Sequence, residues 1–266
     1  MTETAITDAP AIDDEVVLVE VTDGVMVISI NRPRARNAVT LQVSQAVAAA
    51  LDELDERSDV TVGVLTGVGT SFCAGMDLKA YARGERPSIE GRGFGGLTER
   101  PPLKPLIAAV EGHALGGGFE LALACDLVVA SRGATFGLPE VRRGLVAAAG
   151  GLLRLPHRVP TSVAMHLVLT GGTLTAEEAH QWGLVNELTE DGESLRHARQ
   201  LAARIAANGP LAVAASKQVI MQHEQWPVAD RFRAQRELLD PVFRSADAQE
   251  GARAFTEKRT PQWKGC

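Results

Sequence analysis

Aromatic residues make up only 4% of this 266-residue sequence, so any core must be built from Ala, Val and Leu. Cysteine is also scarce. Cys73, Cys125 and Cys266 are odd in number and widely spaced, with no Cys-x-x-Cys pair. That spacing argues against a disulfide framework or a zinc site and favours a reducing cytoplasm. No apolar run reaches the ~18–20 residues that a membrane span requires. The first 15 residues are acidic and rich in Ala and Thr, with no hydrophobic centre, so they do not read as a secretory signal. A disordered tail is expected over 1–15. The net charge of −6 is spread without a basic block, which speaks against nucleic acid or a membrane surface as partner.

Common binding and catalytic signatures are missing as well. Gly116 and Gly118 begin a dinucleotide fingerprint, but Leu121 stands where its last glycine belongs. The run "GVGTSF" fails in the same way at Phe72, and neither Gly-Lys-Ser/Thr nor Gly-x-Ser-x-Gly occurs. His113 is taken as a packing residue, and the other His residues show no ligand spacing. No metal and no cofactor are therefore expected.

The 45% of hydrophobic residues present is ample for one large domain. Two β-branched runs flank Asp23-Gly24 between Val16 and Pro33, a strong hairpin signal. Thr40 is placed to cap a helix running to about Arg57, with Val47, Leu51 and Leu54 on one face. Short strands are expected at 61–67, 105–112, 126–131 and 135–138, and a mobile loop over 82–102. The irregular strand, strand, helix order suggests stacked ββα units in an α/β fold. From Thr173 onward the pattern reads as all helical. "TAEE" at 175–178 forms a capping box, and Asp247 with Glu250 is a second capping-type pair.

Against this background stands "LGGGFELALACD", at 115–126, where three glycines lead into an apolar helix with a glutamate in its first turn. Glycine lets backbone approach a ligand closely. A helix start offers unpaired N–H groups to a developing oxyanion. Glu120 follows Gly117 by about one turn and can share its side of the helix. A tight turn into a buried helix accounts for these residues equally well when they are taken alone. Two more segments bear on the choice. "FGLPEVRRG" sets Glu140 after a proline at a strand end, and "SFCAGMDL" sets Gly75-Met76 after a strand. Two acids and two glycine-borne amides suit proton transfer at a thioester with an enolate-like intermediate.

With "NRPRARNAV", "VGVLTGVGTSFCAGMDL", "TFGLPEVRRGLVAAAGGLLRL" and "LTGGTLTAEEAHQWGLVNEL" in this order, the chain resembles the enoyl-CoA hydratases of the crotonase family from about Val16 to Lys264. The resemblance implies a crotonase-like spiral of ββα units over 16–200. It also implies a helical C-terminal trimerisation region over 201–266, in a homotrimer or a dimer of trimers. It assigns the oxyanion hole to the amides of Met76 and Gly117 and the catalytic acids to Glu120 and Glu140. Candidates for binding CoA are Arg34, Arg36, Ala74 and Lys79. Phe255 and Lys258 on the last helix are further candidates, open to supply by a neighbouring subunit. Leu145, Ala147 and Leu152 are expected to line the acyl pocket, where Ala147 replaces a common proline and widens the space.

The implied activity is reversible addition of water to a 2-enoyl-CoA in fatty-acid or related acyl-CoA β-oxidation. Alternatives on the same scaffold are an enoyl-CoA isomerase and a carnitinyl-CoA-type dehydratase. A non-catalytic CoA- or RNA-binding role is disfavoured by the presence of both acids and the absence of a basic stripe.

Overall fold

The computed structural model describes residues 15–266, so the expected tail lies almost wholly outside the described residues. The hairpin forms as β1 (Val17–Thr22) and β2 (Val25–Ile30), with Asp23 and Gly24 both at positive φ in its turn. Helix α1 (Leu41–Glu56) starts where Thr40 accepts a hydrogen bond from the Val43 N–H, and it buries Val43, Val47, Leu51 and Leu54. Then come β3 (Val62–Gly67), α2 (Leu78–Ala82), and the two-residue strands β4 (Ser88–Ile89) and β5 (Gly93–Phe94).

The middle of the chain repeats one plan: β6 (Leu106–Val110), β7 (His113–Leu115) and α3 (Gly117–Ala124), then β8 (Leu127–Ser131), β9 (Thr135–Gly137) and α4 (Gly151–Arg154). The first strands of these units pair in parallel in a six-stranded sheet ordered β1-β2-β3-β6-β8, with a last strand at the edge. The second strands pair in parallel in a smaller sheet, β7 on β9, and Cys73 extends that layer through a bridge to Ala114. Each unit thus adds one strand to both sheets, and the chain climbs as a spiral. Its interior is packed with Val, Leu and Ala around Phe72, Phe119 and Phe136, all buried.

After α5 (Thr161–Thr170) the structure departs from the all-helical expectation. Strand β10 (Thr173–Thr175) pairs antiparallel with β9, and after α6 (Ala176–Gln181) strand β11 (Glu187–Thr189) forms the sixth strand of the large sheet beside β8. Each spans three residues, too few for an alternating pattern to register; an edge already formed recruits them. The Thr175–Glu178 capping box is present in full.

Helix α7 (Ser194–Ala206) crosses the boundary drawn at 200 and packs Ala198 and Ala202 on the sheet. The chain ends in α8 (Pro210–Gln222), α9 (Arg231–Phe243) and α10 (Ala246–Glu257). Ser245, not Asp247, caps α10 by accepting from the Ala248 N–H. Asp247 is buried and accepts instead from the N–H groups of Lys264 and Gly265, fastening the C-terminal tail.

The segment 82–102 is not a free loop. Arg92 to Thr98 are buried, Leu97 sits in the core, and Arg92 pairs with Asp52 on α1. Among the described residues no helix is long and apolar enough to cross a membrane.

Candidate active site

Three consecutive turns of the spiral deliver the candidate residues to one place. Across the small sheet the Leu115 N–H donates to the Cys73 carbonyl, and the Gly116 N–H donates to the Gly137 carbonyl. Cys73, Leu115 and Gly137 are therefore neighbours in space, and the chain leaves each of them in the same direction. Met76 follows the first by three residues, Gly117 the second by two, and Glu140 the third by three. All three line a cavity of about 740 Å³, together with Glu120.

The glycines hold this arrangement together. A Cβ on Gly75 would lie 2.8 Å from the Leu115 carbonyl oxygen and 3.1 Å from the Gly117 nitrogen, so the loop bearing Met76 rests directly on the start of α3. At Gly118 a Cβ would collide with the Cys73 carbonyl oxygen, and at Gly117 with the Phe94 ring. Gly116 has φ +55° and faces Glu140, whose Oε1 would lie 3.1 Å from a Cβ there. The N–H groups of Met76 and Gly117 have no hydrogen-bond partner among the described residues, and both residues face the cavity. Two such free donors at a helix start can receive a developing oxyanion.

Glu120 is buried at 3% exposure in the first turn of α3. Its Oε1 accepts from the N–H groups of Ala149, at 2.7 Å, and Gly151, at 2.8 Å. Burial pushes its carboxyl above the usual range; the two N–H bonds oppose that, and the Glu140 charge adds to it. Glu140 sits in the 3₁₀ turn Pro139–Arg143, where Pro139 sets the first position. Its Oε2 is buried with no partner among the described residues, and burial raises this carboxyl too. One acid is clamped, the other free to move a proton.

The remaining expectations divide. Arg36, Ala74 and Leu145 line the cavity. Arg34 and Lys79 are exposed and outside it, and so are Phe255 and Lys258 in the C-terminal region. Ala147 is buried in the core, and Leu152 is 39% exposed on the outer face of α4; Val146, Ala148 and Ala149 form the wall instead. The turn after Gly144 decides that Ala147 points into the core while its neighbours on both sides face the cavity, and composition does not reveal that turn. Sequence reasoning missed Tyr81, Arg86, Phe94, Glu99 and Arg143 in the lining. The Arg86 guanidinium lies over the Tyr81 ring at 4.1 Å. The buried Phe94, the sole aromatic among the glycines of 91–96, was the available signal.

Comparison with known proteins agrees with this geometry. The family model described as "Enoyl-CoA hydratase/isomerase" matches residues 20–266. The carnitinyl-CoA dehydratase of Salmonella typhi is 42% identical over 249 residues, covering 91% of this chain and 95% of the relative. Among solved structures, an enoyl-CoA hydratase from Mycobacterium tuberculosis H37Rv is 58% identical with a TM-score of 0.93, covering 94% of this chain and 99% of that one. A carnitinyl-CoA hydratase from Mycobacterium avium is 46% identical with a TM-score of 0.76, covering 96% and 100% respectively. Spiral, site and sequence agree: the chain belongs to the enoyl-CoA hydratase/isomerase family, the crotonase family.

Proposed function

We propose that this enzyme adds water reversibly across the α,β double bond of a 2-enoyl-CoA thioester. The observation that carries this reading is one cavity holding a buried and a half-buried carboxyl, both of raised pKa, and two unpartnered backbone N–H groups. The amides of Met76 and Gly117 bind the thioester oxygen as charge builds on it, each donor typically worth roughly 3–4 kcal/mol of barrier. Glu120, held by two N–H bonds, takes a proton from water as its oxygen attacks Cβ. Glu140 gives a proton to Cα, and the reverse sequence expels water. The Glu140 charge makes Glu120 harder to ionise, so the two acids titrate as a coupled pair. In the hydration direction Glu120 serves as the base and Glu140 as the acid. Arg36 and Ala74, which line the cavity, contact the CoA moiety in this reading.

Gly144, Ala148 and Ala149 leave the cavity wall unfilled, which favours an acyl group longer or bulkier than four carbons. A second reading, dehydration of a carnitinyl-type thioester, draws on the relatives of that name. Glu99 also favours it: this acid lines the cavity without an ion-pair partner among the described residues and suits a cationic acyl end. Loss of the conjugated thioester absorbance, followed over a chain-length series and on a trimethylammonium-bearing enoyl-CoA, tests both. Hydration with kcat/KM rising beyond the four-carbon substrate is expected. Preference for the cationic substrate would select the second reading, and no turnover of any 2-enoyl-CoA would end the first.

A further inference from the structure

Arg154 stands behind the cavity and has no part in the chemistry just described. It closes α4, the short helix whose first residue, Gly151, donates to Glu120. Its Nη2 donates to the Thr98 carbonyl at 2.5 Å, at the end of the buried segment whose Phe94 lines the cavity, as does Glu99 just after it. Its Nη1 covers Gly150, where a Cβ would strike it. The side chain thus touches the peptide between the two that clamp Glu120, those of Ala149 and Gly151. No carboxylate lies within ion-pair distance of it among the described residues.

A desolvated guanidinium needs a counter-charge. We propose that Arg154 is the positioning residue for Glu120: it ties the cavity wall at Thr98 to the loop that clamps the carboxylate, and its positive charge balances the ionised acid from behind. This rests on Glu120 being the base of the reaction. The electrostatics run both ways. Burial pushes Arg154 down and the Glu120 charge is the chief support against it, while Arg154 in turn favours ionised Glu120. Glu140 is the other charge acting on Glu120. Cys125 and Arg158 also face Arg154, but the Arg158 guanidinium is committed to the carbonyls of Cys125 and Asp126. Among carboxylates, only Glu120 acts on Arg154.

The test is the pH profile of kcat/KM for Arg154→Gln, Arg154→Met and Arg154→Lys, with melting curves for each. Gln retains a donor for the Thr98 carbonyl but no charge, Met retains neither, and Lys retains the charge. The acid limb reports ionisation of the base. Losing a nearby cation raises the carboxyl, so the limb should move to higher pH by about one pH unit in the Gln and Met variants. With Lys it should stay in place. If Met does not fold, Gln carries the comparison. If neither neutral variant folds, a Lys limb that moves despite the retained charge overturns the proposal. Equal loss at every pH with an unmoved limb in Gln or Met would reduce Arg154 to a strut and overturn the proposal. Failure of the Glu120 assignment is distinguishable, because Glu120→Gln would then turn over normally whatever Arg154 does.

Discussion

At the scale of the residue, the two acids share a residue type and differ in their surroundings. Glu120 is clamped by two backbone donors, and Glu140 has an unpartnered buried oxygen. Glu120→Gln and Glu140→Gln should each lower hydration by about 10²–10⁴-fold while the fold persists, as general acid–base groups usually contribute that much. Steady-state rates checked beside circular dichroism decide it; near-normal turnover in either variant removes that residue from the reaction. Glu140→Gln should also stabilise the chain. Burial raises the folded carboxyl above its unfolded value, so the folded state holds the proton more tightly. The stability this contributes is complete below the unfolded value and is lost as pH rises through the raised folded value. Above the unfolded value this carboxyl therefore costs the folded state stability, and Gln removes that cost. Melting temperature should therefore rise in the variant at about pH 7, and the gain should shrink toward about pH 4. A gain independent of pH would show that ionisation is not its source.

At the scale of the element, the start of α3 is where packing and chemistry meet. The close approach of Gly118 to the Cys73 carbonyl sets how near the Met76 loop lies to the Gly117 amide. Gly118→Ala should force the two apart, costing about 1–3 kcal/mol of stability as overpacking does. It should also reduce kcat more than the melt alone explains. Chemical denaturation with kinetics on the folded fraction measures both, and a variant with normal kcat would separate the glycine from the oxyanion site. The Met76 loop is held from its other side by Asp77, which accepts from the Lys79 and Ala80 N–H groups and pairs with Arg32 at 3.0 Å. Asp77→Ala should lose the cap, about 0.5–2 kcal/mol. Its kcat should fall because Met76 is no longer aimed; unaltered kcat in this variant would mean that the bridge to Val39 suffices. Caps of this kind were legible at Thr40 and Thr175 because donor and acceptor lie three residues apart in sequence. Asp247 misled for the same reason. Its spacing suits a cap, but its oxygens are engaged by a tail 17 and 18 residues away.

At the scale of the whole molecule, the C-terminal helices leave apolar surface uncovered. Phe232, Phe243 and Phe255 are 75%, 76% and 86% exposed, and no residue of α9 is buried within the chain. Burial of such surface against further copies is the expected outcome, and closed symmetry its usual form. We propose a trimer or a dimer of trimers; light scattering should report a multiple of 28.2 kDa, and a monomer at micromolar concentration would refute it.

The amino-acid order alone determined the features whose physics is local. The hairpin follows from Asp23-Gly24 and α1 from Thr40 and its apolar face, while the motifs singled out Glu120 and Glu140, which line one cavity. Glycines at 116–118 could be read as a close approach, but not what approaches. Tertiary structure alone decided that Cys73, Phe94 and Glu140 are their neighbours, that Glu187–Thr189 is a strand, and that Ala148 and Ala149, not Ala147, wall the cavity. It also brought Arg154 behind Glu120, from a position 34 residues later in the chain. Hydrogen bonds and turns between near neighbours leave a periodic trace in sequence. Contacts between successive turns of a spiral join residues tens of positions apart, and only the packed chain brings them together.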